Sequence, residues 1–394
     1  MRRAIFRLGT VPLVAALGLV GVAGPAVAGG SVTVVASGFD NARGILVGPG
    51  GVLLVAEAGR GGAGPCVPAP SQPTLQVCFG DSGAVSAVVP PGVLSYGTAK
   101  ADRSSLWRRY RVSTGLPSLA GSDGSSALGP ERLALSGGRL FVTTGLGGND
   151  TMRGALGADG SRLAHVLEVR PGTHSRVHAD LLAFEVANNP DAPSGGVVDS
   201  NPWGLVSLGD GRTLATDAAA NDVLSISASG QVSLVAVAPV QQVAAPPGLG
   251  LPPGTTIPSQ SVPTGVVRGP DGAFYFGQFT GYPFPKGGAK VLRVTESGRL
   301  TTYASGFTNV MDVAFDKRGR LLVLSYARDG LTSTAPGTLP VGSLTRVEAD
   351  GTRTELAAGR LTAPGGLAVG PDGAIYVANN SVTAGGGEIL RITA

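Results

Sequence analysis

The sequence predicts an all-β protein, a six-bladed β-propeller with four antiparallel strands per blade, closed by the mature N-terminal strand completing the last blade. Three observations predict this fold: a repeated strand–turn–strand unit, tight glycine turns between the strands, and a C-terminal unit that lacks one strand. The 394-residue chain contains 63 Gly and 29 Pro but is also 43% apolar. Disordered chains lack this hydrophobicity, so the composition indicates a folded protein with many turns.

The repeated unit starts with an apolar strand, a tight turn and a second apolar strand. A second hairpin follows in the same unit, marked by its own turn, as at Ser229-Gly230 and Ser297-Gly298. A four-stranded unit cannot cover its own faces, so neighbouring units must stack, and radial stacking produces a propeller. Six copies of the first hairpin are found, starting near residues 42, 130, 202, 263, 309 and 364.

The two ends of the mature chain predict closure of the ring. The last unit ends after its third strand, at residues 388–393, and residues 31–39 resemble residues 299–307, the fourth strand of the fourth unit. Residues 31–39 are therefore expected to supply the missing outer strand of the last blade, which leaves no unpaired terminal blade. Residues 29–394 form one domain in this interpretation. Seven blades is the alternative, with a degenerate unit hidden in residues 93–128.

The first 28 residues are predicted to be a signal peptide. Arg2, Arg3 and Arg7 precede an apolar run at residues 11–22, and residues 25–29 resemble a signal-peptidase cleavage site. The apolar run is shorter than the ~20 residues that span a bilayer, so a membrane anchor is the weaker interpretation. The mature protein is therefore expected to be secreted or extracytoplasmic, in the cell envelope, with no membrane span after signal removal.

The charge of the mature chain is nearly balanced. Without the three leader arginines the formal net charge falls from +4 to +1. No basic tract remains, which argues against nucleic acid as a partner.

The two cysteines of the chain, Cys66 and Cys78, are expected to form a disulfide. They flank a short, turn-rich stretch, and an exported protein meets oxidising conditions. A metal site is the weaker interpretation, because two thiols without a nearby His or third Cys leave a coordination shell unfilled.

The long loops are expected on one face of the propeller, where binding residues usually lie on a rigid scaffold. The loops between second and third strands share this face with the loops between blades. The loops of the opposite face are mostly tight glycine turns. One excursion, residues 96–110, is predicted as a short basic helix inserted in the first unit. The long loops span residues 57–82, 145–163, 217–222, 277–289, 325–342 and 379–387.

Polar candidates for a ligand site lie near the start of the first strands and the end of the second strands. Glu131, Asn309 and Asp312 could converge on a divalent cation, calcium or zinc, because hard cations prefer several oxygen ligands. The alternative is that they line a solvated funnel and pair with arginines. The candidate ligand-binding residues at this channel mouth are Arg43, Glu57, Glu131, Arg132, Asn201, Trp203, Asp217, Gln278, Tyr282, Asn309, Asp312, Tyr326 and Asn379.

Residues 278–285 form an aromatic and proline-rich loop that contains Tyr282. An exposed aromatic edge suits an apolar or aromatic ligand, or a partner protein. The alternative is that these rings pack on the prolines of the same loop.

Several enzyme-like motifs fail on their context. Residues 80–83 resemble a serine-protease nucleophile segment, but no His precedes them as that family's order requires. Residues 59–64 match a dinucleotide fingerprint in letters alone, because Pro65 follows where a helix is needed. The catalytic residues, if the protein has any, are therefore unknown from the sequence.

Linked motifs occur in order along the chain. They are Gly64-Pro65-Cys66 with Val77-Cys78, Thr114-Gly115-Leu116-Pro117-Ser118-Leu119, Asp199-Ser200-Asn201-Pro202-Trp203-Gly204-Leu205, Gly281-Tyr282-Pro283-Phe284-Pro285 and Gly306-Phe307-Thr308-Asn309-Val310-Met311-Asp312. With these motifs the chain resembles the ScyD/ScyE family of secreted propeller proteins. This resemblance implies an exported, NHL-like six-bladed propeller and carries over no catalytic residue.

The sequence thus favours a monomeric, secreted binding scaffold for an unknown small molecule or extracellular protein, acting through the long-loop face. The alternative is a metal-dependent hydrolase or lactonase-like enzyme at the channel mouth, with Glu57 or Asp217 as base. This alternative is an analogy between folds, and a fold does not determine function. A third interpretation, a role in extracellular pigment or envelope assembly, depends only on the family resemblance.

Overall fold

The computed structural model describes residues 26–27, 30–70, 72–93, 106–172 and 175–393. The predicted signal peptide therefore lies outside the described residues, apart from strand β1 (Ala26–Val27). Among the described residues, no helix combines the length and hydrophobicity needed to cross a membrane.

The chain folds mainly into antiparallel four-stranded sheets, numbered here 1 to 6 in chain order. The strands before and in sheet 1 are β2 (Ser31–Phe39), β3 (Ala42–Val47), β4 (Leu53–Glu57), β5 (Cys66–Ala69), β6 (Gln72–Val89) and β7 (Arg108–Ala120). Sheet 1 has the order β3-β4-β6-β7, with β5 pairing the start of β6. Sheet 2 contains β8 (Pro130–Ser136), β9 (Arg139–Thr144), β10 (His165–Val169) and β11 (Ser175–Asp180).

Sheets 3 and 4 follow the same order of neighbouring antiparallel strands. Sheet 3 contains β12 (Pro202–Gly209), β13 (Arg212–Asp217), β14 (Asp222–Ile226) and β15 (Val232–Val237). A separate hairpin of β16 (Gln241–Ala244) and β17 (Thr256–Ser259) precedes sheet 4. Sheet 4 contains β18 (Pro263–Arg268), β19 (Phe274–Gln278), β20 (Ala289–Val294) and β21 (Leu300–Phe307).

The last two sheets take in strands from the start of the described chain. Sheet 5 contains β22 (Val310–Phe315), β23 (Leu321–Ser325), β24 (Ser343–Val347) and β25 (Arg353–Leu356), with β1 parallel to β25. Sheet 6 contains β26 (Gly366–Val369), β27 (Ile375–Asn379), β28 (Gly387–Thr393) and, as its fourth strand, β2. Strand β2 pairs antiparallel with β28 from Ser31 opposite Thr393 to Phe39 opposite Gly387, as the sequence predicts for residues 31–39.

Short helices lie in the connections between strands. The α-helices are α1 (Asp150–Ala155) and α2 (Gly157–Gly160) between β9 and β10, and α3 (Leu181–Asn188) after β11. The 3₁₀ segments are Pro49–Gly51, Ala192–Ser194 and Leu331–Ser333. Side chains of Asn149 and Asp180 cap α1 and α3 by accepting backbone N–H groups, at 3.0 Å from Met152 and 2.9 Å from Ala183.

The first strands of the six sheets contact one another in chain order. β3 contacts β8, β8 contacts β12, β12 contacts β18, β18 contacts β22, and β22 contacts β26. β26 in turn contacts β3. Each sheet therefore has its first strand between the first strands of two other sheets.

A buried apolar cluster lies between each pair of sheets in that series. One cluster joins sheets 6 and 1, and includes Ile45 and Val55 from one side and Tyr376 and Ile389 from the other. Comparable clusters join sheets 1 and 2, 2 and 3, 3 and 4, 4 and 5, and 5 and 6. Since apolar burial is worth roughly 25 cal/mol per Å², these interfaces hold the sheets together.

Glycine in the first strands allows the first strands of neighbouring sheets to approach each other closely. A Cβ added at Gly44 would lie 2.6 Å from the Glu131 carbonyl oxygen, and one at Gly366 would lie 2.4 Å from that of Arg43. Both neighbours are backbone of the adjoining sheet, so a side chain at either position would push two first strands apart.

The predicted disulfide is present between Cys66 and Cys78. These residues face each other across the β5–β6 hairpin, with their Cα atoms 4.0 Å apart. Val67 and Phe79 of the hairpin pack on a buried cluster that includes Leu146. The disulfide thus fastens a hairpin that belongs to the long connection after β4.

The segment predicted as a basic helix ends in a β-strand in the part that the structure describes. Residues 94–105 lie outside the described part, but Arg108–Ala120 form strand β7 and pair with β6. Arg108, Arg109 and Tyr110 face Val89, Val88 and Ala87 in this register, so the described end of the basic run belongs to a strand. Strand β7 completes sheet 1. The described part of residues 93–128 therefore contains no separate sheet of the kind that the seven-blade alternative needs.

Candidate functional site

Five of the predicted site residues come together where first strands of different sheets meet. They are called here the first-strand cluster: Arg43, Glu131, Arg132, Trp203 and Asp312. Four are buried and Trp203 is half-buried. Each is the first, second or third residue of its strand, so the strand contacts described above bring them together.

Two ion pairs organise the cluster. Arg43 Nε lies 3.5 Å from Glu131 Oε2, and Arg132 Nη2 lies 3.4 Å from Asp312 Oδ2. Asp312 also accepts backbone N–H groups from Val313 and Leu367, both at 2.9 Å. Both carboxylates therefore pair with arginine, as the alternative predicted, but they are buried and do not line a solvated funnel.

Trp203 covers the two arginines. The guanidinium carbons of Arg43 and Arg132 lie 5.8 and 5.7 Å from the centre of its ring, within range of a cation–π contact. Its Nε1 is buried and has no hydrogen-bond partner among the described residues. The indole ring of Trp203 therefore contacts both arginines, and its Nε1–H remains available as a hydrogen-bond donor.

Glu131 is the unusual acid of the cluster. Its carboxylate is fully buried, and neither oxygen accepts a hydrogen bond from a described residue. Burial raises the pKa of Glu131 from 4.5 to about 7, although the charges of Arg43 and Arg132 oppose the shift. Glu131 therefore changes charge near neutral pH.

The pKa of Glu131 predicts a pH-dependent stability. Because its folded-state pKa exceeds 4.5, its contribution is fully present below pH 4.5 and is lost as the pH rises through about 7. We expect wild type to lose roughly 2 kcal/mol more unfolding free energy than Glu131→Gln between pH 5 and 8. Urea unfolding at a series of pH values measures this difference. The exposed Glu296→Gln variant is the control and should follow wild type; equal pH slopes for wild type and Glu131→Gln would contradict the assignment.

The three residues predicted to hold a metal each have a protein partner. Glu131 faces Arg43 and Asp312 faces Arg132, whereas Asn309 joins two loops. Its Nδ2 donates to Phe279 O at 2.9 Å, and its Oδ1 accepts from Leu331 N at 3.0 Å. Within the described part of the chain, no three Asp, Glu, His or Cys side chains are arranged to hold one metal ion.

Polar residues at the ends of the second strands bind the segment that leads into their own first strand. Related contacts recur in four sheets at a spacing of 16 or 17 residues, with a backbone N–H as donor in three sheets and the Gln278 amide as donor in the fourth. The side chains involved are buried, and each uses at least one polar atom within its own sheet. The contacts are Asp40 N to Glu57 (3.0 Å), Asn201 N to Asp217 (2.6 Å), Thr362 N to Asn379 (2.7 Å) and Gln278 Nε2 to Ser261 Oγ (2.7 Å).

Two of these side chains were expected as alternative bases. Glu57 also accepts from Ser86 Oγ at 2.6 Å and pairs with Arg111. Asp217 also accepts from Ser200 Oγ at 2.5 Å. The structure therefore gives each of these carboxylates several donors and places neither in the first-strand cluster.

Asn201 lies beside the cluster. A Cβ added at Gly145 would lie 2.6 Å from Asn201 Oδ1 and 3.6 Å from Glu131 Oε1. Asn201 Oδ1 accepts from Leu146 N at 3.2 Å, so its amide borders Glu131 while holding the connection after β9.

An aromatic row leads from the cluster to the exposed loop predicted around Tyr282. The ring centres of Tyr326 and Phe279 are 5.9 Å apart, those of Phe279 and Phe284 6.2 Å, and those of Phe284 and Tyr282 6.4 Å. At one end Tyr282 is 51% exposed. At the other end Tyr326 is close enough to Arg43 for its phenol to respond to that charge, which opposes the rise in the Tyr326 pKa caused by burial.

A group of acidic residues beside sheet 3 was missed by the sequence analysis, apart from Asp217 and Asp222, which bound the predicted long loop 217–222. This acidic group consists of Glu185, Asp191, Asp199, Asp217 and Asp222. Burial and the neighbouring carboxylates raise the pKa of Glu185 to about 8 and that of Asp199 to about 6. The available signal was the short spacing of Glu185, Asn189 and Asp191, but only the tertiary fold brings Asp222 to them.

No family model matches the sequence, and no curated protein matches it either. Among solved structures, a catalytically inactive virginiamycin B lyase from Staphylococcus aureus with Quinupristin is 12% identical, with a TM-score of 0.45 over 93% of this chain and 100% of that chain. The WD40 beta propeller domain of Doa1 is also 12% identical, with a TM-score of 0.45 over 92% and 97% of the two chains. A luciferin-regenerating enzyme is 8% identical, with a TM-score of 0.47 over 93% and 96%. No functional residue is carried over from these proteins.

Proposed function

We propose that residues 29–394 form one closed six-bladed β-propeller that is exported and acts as a binding scaffold through its long-loop face. The contacts of the six first strands, which run from β3 to β26 and from β26 back to β3, support a ring. The pairing of β2 with β28 supports closure by the N-terminal strand. The disulfide is compatible with an oxidising, extracytoplasmic location.

The ligand site in this proposal is the aromatic row together with the first-strand cluster. The observation that carries it is the continuous series of rings from exposed Tyr282 to Tyr326, beside Arg43. Such a series offers apolar contact along its length and cationic groups at its inner end. The ligand proposed is therefore a small molecule, or a segment of an extracellular protein, that carries an aromatic group.

The charge arrangement favours binding over the metal-dependent hydrolase. That alternative needs Glu131, Asn309 and Asp312 on one ion, whereas these side chains engage Arg43, loop backbone and Arg132. The ScyD/ScyE resemblance fits an exported propeller and supplies no reaction.

Trp203 provides a direct assay for the proposed site. The chain has two tryptophans, so a Trp107→Phe variant leaves Trp203 as the single tryptophan reporter beside Arg43 and Arg132. We expect aromatic small molecules or aromatic peptides from a screen to change Trp203 fluorescence in a saturable way. A hit that binds the row should bind about fivefold more weakly to Tyr282→Ala, since one aromatic pair is worth about 1 kcal/mol.

The matched control is Tyr110→Ala, which removes an exposed tyrosine from strand β7. Its affinity for a hit should equal that of the parent. If every saturable ligand bound the parent and the Tyr282→Ala variant equally, the aromatic row would not be the binding surface.

A further inference from the structure

The acidic group lies where the connection after α3 meets the turn between β13 and β14. Glu185 is in α3, Asp191 follows it, and Asp217 and Asp222 face each other across that turn. These four carboxylates are each 1% exposed or less. The acidic group therefore lies between the connection from α3 to sheet 3 and the turn that joins β13 and β14 within sheet 3.

Within the described residues, no cation compensates this buried charge. None of the five carboxylates forms an ion pair with a Lys, Arg or His within the described residues, although most other buried acids do. Burying an ionised carboxylate without a partner is costly, and neighbouring carboxylates add repulsion. The group therefore requires either protons or a bound cation in the folded protein.

Two residues of the acidic group have carboxylate oxygens without a hydrogen-bond partner among the described residues. Asp222 is 0% exposed, and neither of its carboxylate oxygens has a hydrogen-bond partner among the described residues. Its electrostatic neighbours are Asp217, Glu185 and Asp191, all of them acidic. Glu185 Oε2 is likewise buried without a partner. Such unpartnered buried oxygens are rare unless something binds them.

The Asn189 amide completes the arrangement. One of its polar atoms is 3.0 Å from both Asp191 Oδ1 and Glu185 Oε1. Without a cation, the amide nitrogen must take this position and donate to both carboxylates. With a cation, the amide oxygen takes it, so that three oxygens from Glu185, Asn189 and Asp191 face one ion.

We propose that Glu185, Asn189 and Asp191 bind one calcium ion, with Asp217 and Asp222 supplying further negative charge around it. Calcium accepts six to eight oxygen ligands in flexible geometry, including carboxylates, amide oxygens, backbone carbonyls and water. The group offers oxygen only, whereas zinc prefers nitrogen and sulfur ligands. Three carboxylates do not surround one point here, so the direct ligands are two carboxylates and one amide, with water and backbone completing the shell.

The ion would be held by α3 and the segment after it, close to the carboxylates of sheet 3 that supply further negative charge. Asp217 stays in place because Asn201 N and the backbone N–H groups of Ala219 and Ala220 hold it. Asp191 is linked to the same turn because Asn221 Nδ2 donates to it at 2.9 Å. Calcium is therefore expected to order these connections without taking part in ligand binding at the first-strand cluster.

The test uses the protein purified after export from a bacterial host and stripped of metal with EDTA. Thermal unfolding is compared without metal, with millimolar CaCl2 and with millimolar MgCl2, and calcium binding is titrated by calorimetry. We expect one equivalent of calcium to bind and the unfolding temperature to rise by roughly 3 °C or more at saturation, with a smaller response to magnesium.

The Glu185→Gln and Asp191→Asn variants remove charge with little change in volume. Both should lose the calcium-dependent rise, and both should unfold without calcium at the same temperature as metal-free wild type or above it, because repulsion is relieved. Asp312→Asn, which changes a buried carboxylate of the first-strand cluster, is the control and should keep the calcium response. The proposal is overturned if calcium produces neither heat nor a temperature shift, or if the response persists in both charge-removing variants.

Discussion

Replacing Arg132 with methionine is expected to lower the free energy of unfolding by roughly 3–5 kcal/mol, because it leaves a buried acid without its cation. Arg132 starts from sheet 2 and reaches two other sheets. Its Nη2 donates to Gly365 O at 2.7 Å and Met311 O at 3.3 Å, and it pairs with Asp312 at 3.4 Å. Because methionine retains most of the apolar volume of the arginine side chain, the loss of unfolding free energy reports on the polar contacts and not on a cavity.

Equilibrium urea unfolding measures this effect, and a double-mutant cycle assigns it. In an Asp312→Asn background, Arg132→Met should cost clearly less, since no unpaired carboxylate is left behind. The control is Arg299→Ala, an exposed arginine at the start of β21, which should change the unfolding free energy by no more than about 0.5 kcal/mol. Equal costs of Arg132→Met in both backgrounds would show that the Arg132–Asp312 pair contributes nothing.

Removal of the disulfide by Cys66→Ser with Cys78→Ser is expected to cost about 3 kcal/mol of unfolding free energy. The bond closes a loop with a sequence separation of 12, and opening it releases chain entropy in the unfolded state. Both cysteines are at least partly exposed, so serine should fit without a packing penalty.

Urea unfolding of the double variant, and of wild type in a reducing agent, should give the same loss of stability. Hydrogen exchange at Val67 and Val77 would then show whether the β5–β6 hairpin opens by itself. Wild-type stability in the double variant would mean that the hairpin is already open before the sheets unfold. A matched loss in both experiments would assign the contribution to the disulfide.

The repeat made much of the fold predictable. Hairpins depend on residues close in sequence, so glycine turns and β-branched runs define the strands locally. The similarity of residues 31–39 to residues 299–307 was enough to predict the pairing of β2 with β28. The turn-rich stretch between the cysteines was enough to predict the disulfide.

The site was predictable only in part. Five candidates at the starts of first strands meet because the repeat places them at equivalent positions. At the ends of the second strands, however, polar residues such as Glu57 and Asn379 bind backbone of their own sheet. A polar side chain looks the same in sequence whether it faces a ligand or holds a turn.

By itself the sequence determined most of the strands, their pairing into hairpins, the disulfide and the charged residues that gather at the starts of the first strands. Tertiary structure decided the electrostatics. Arg132 of sheet 2 reaches Asp312 of sheet 5, and Asp222 meets Glu185 without a compensating cation among the described residues. The physical reason is the range of the two interactions. Strand propensity and turns act over a few residues, whereas the charge state of a buried group depends on every sheet that removes water from it.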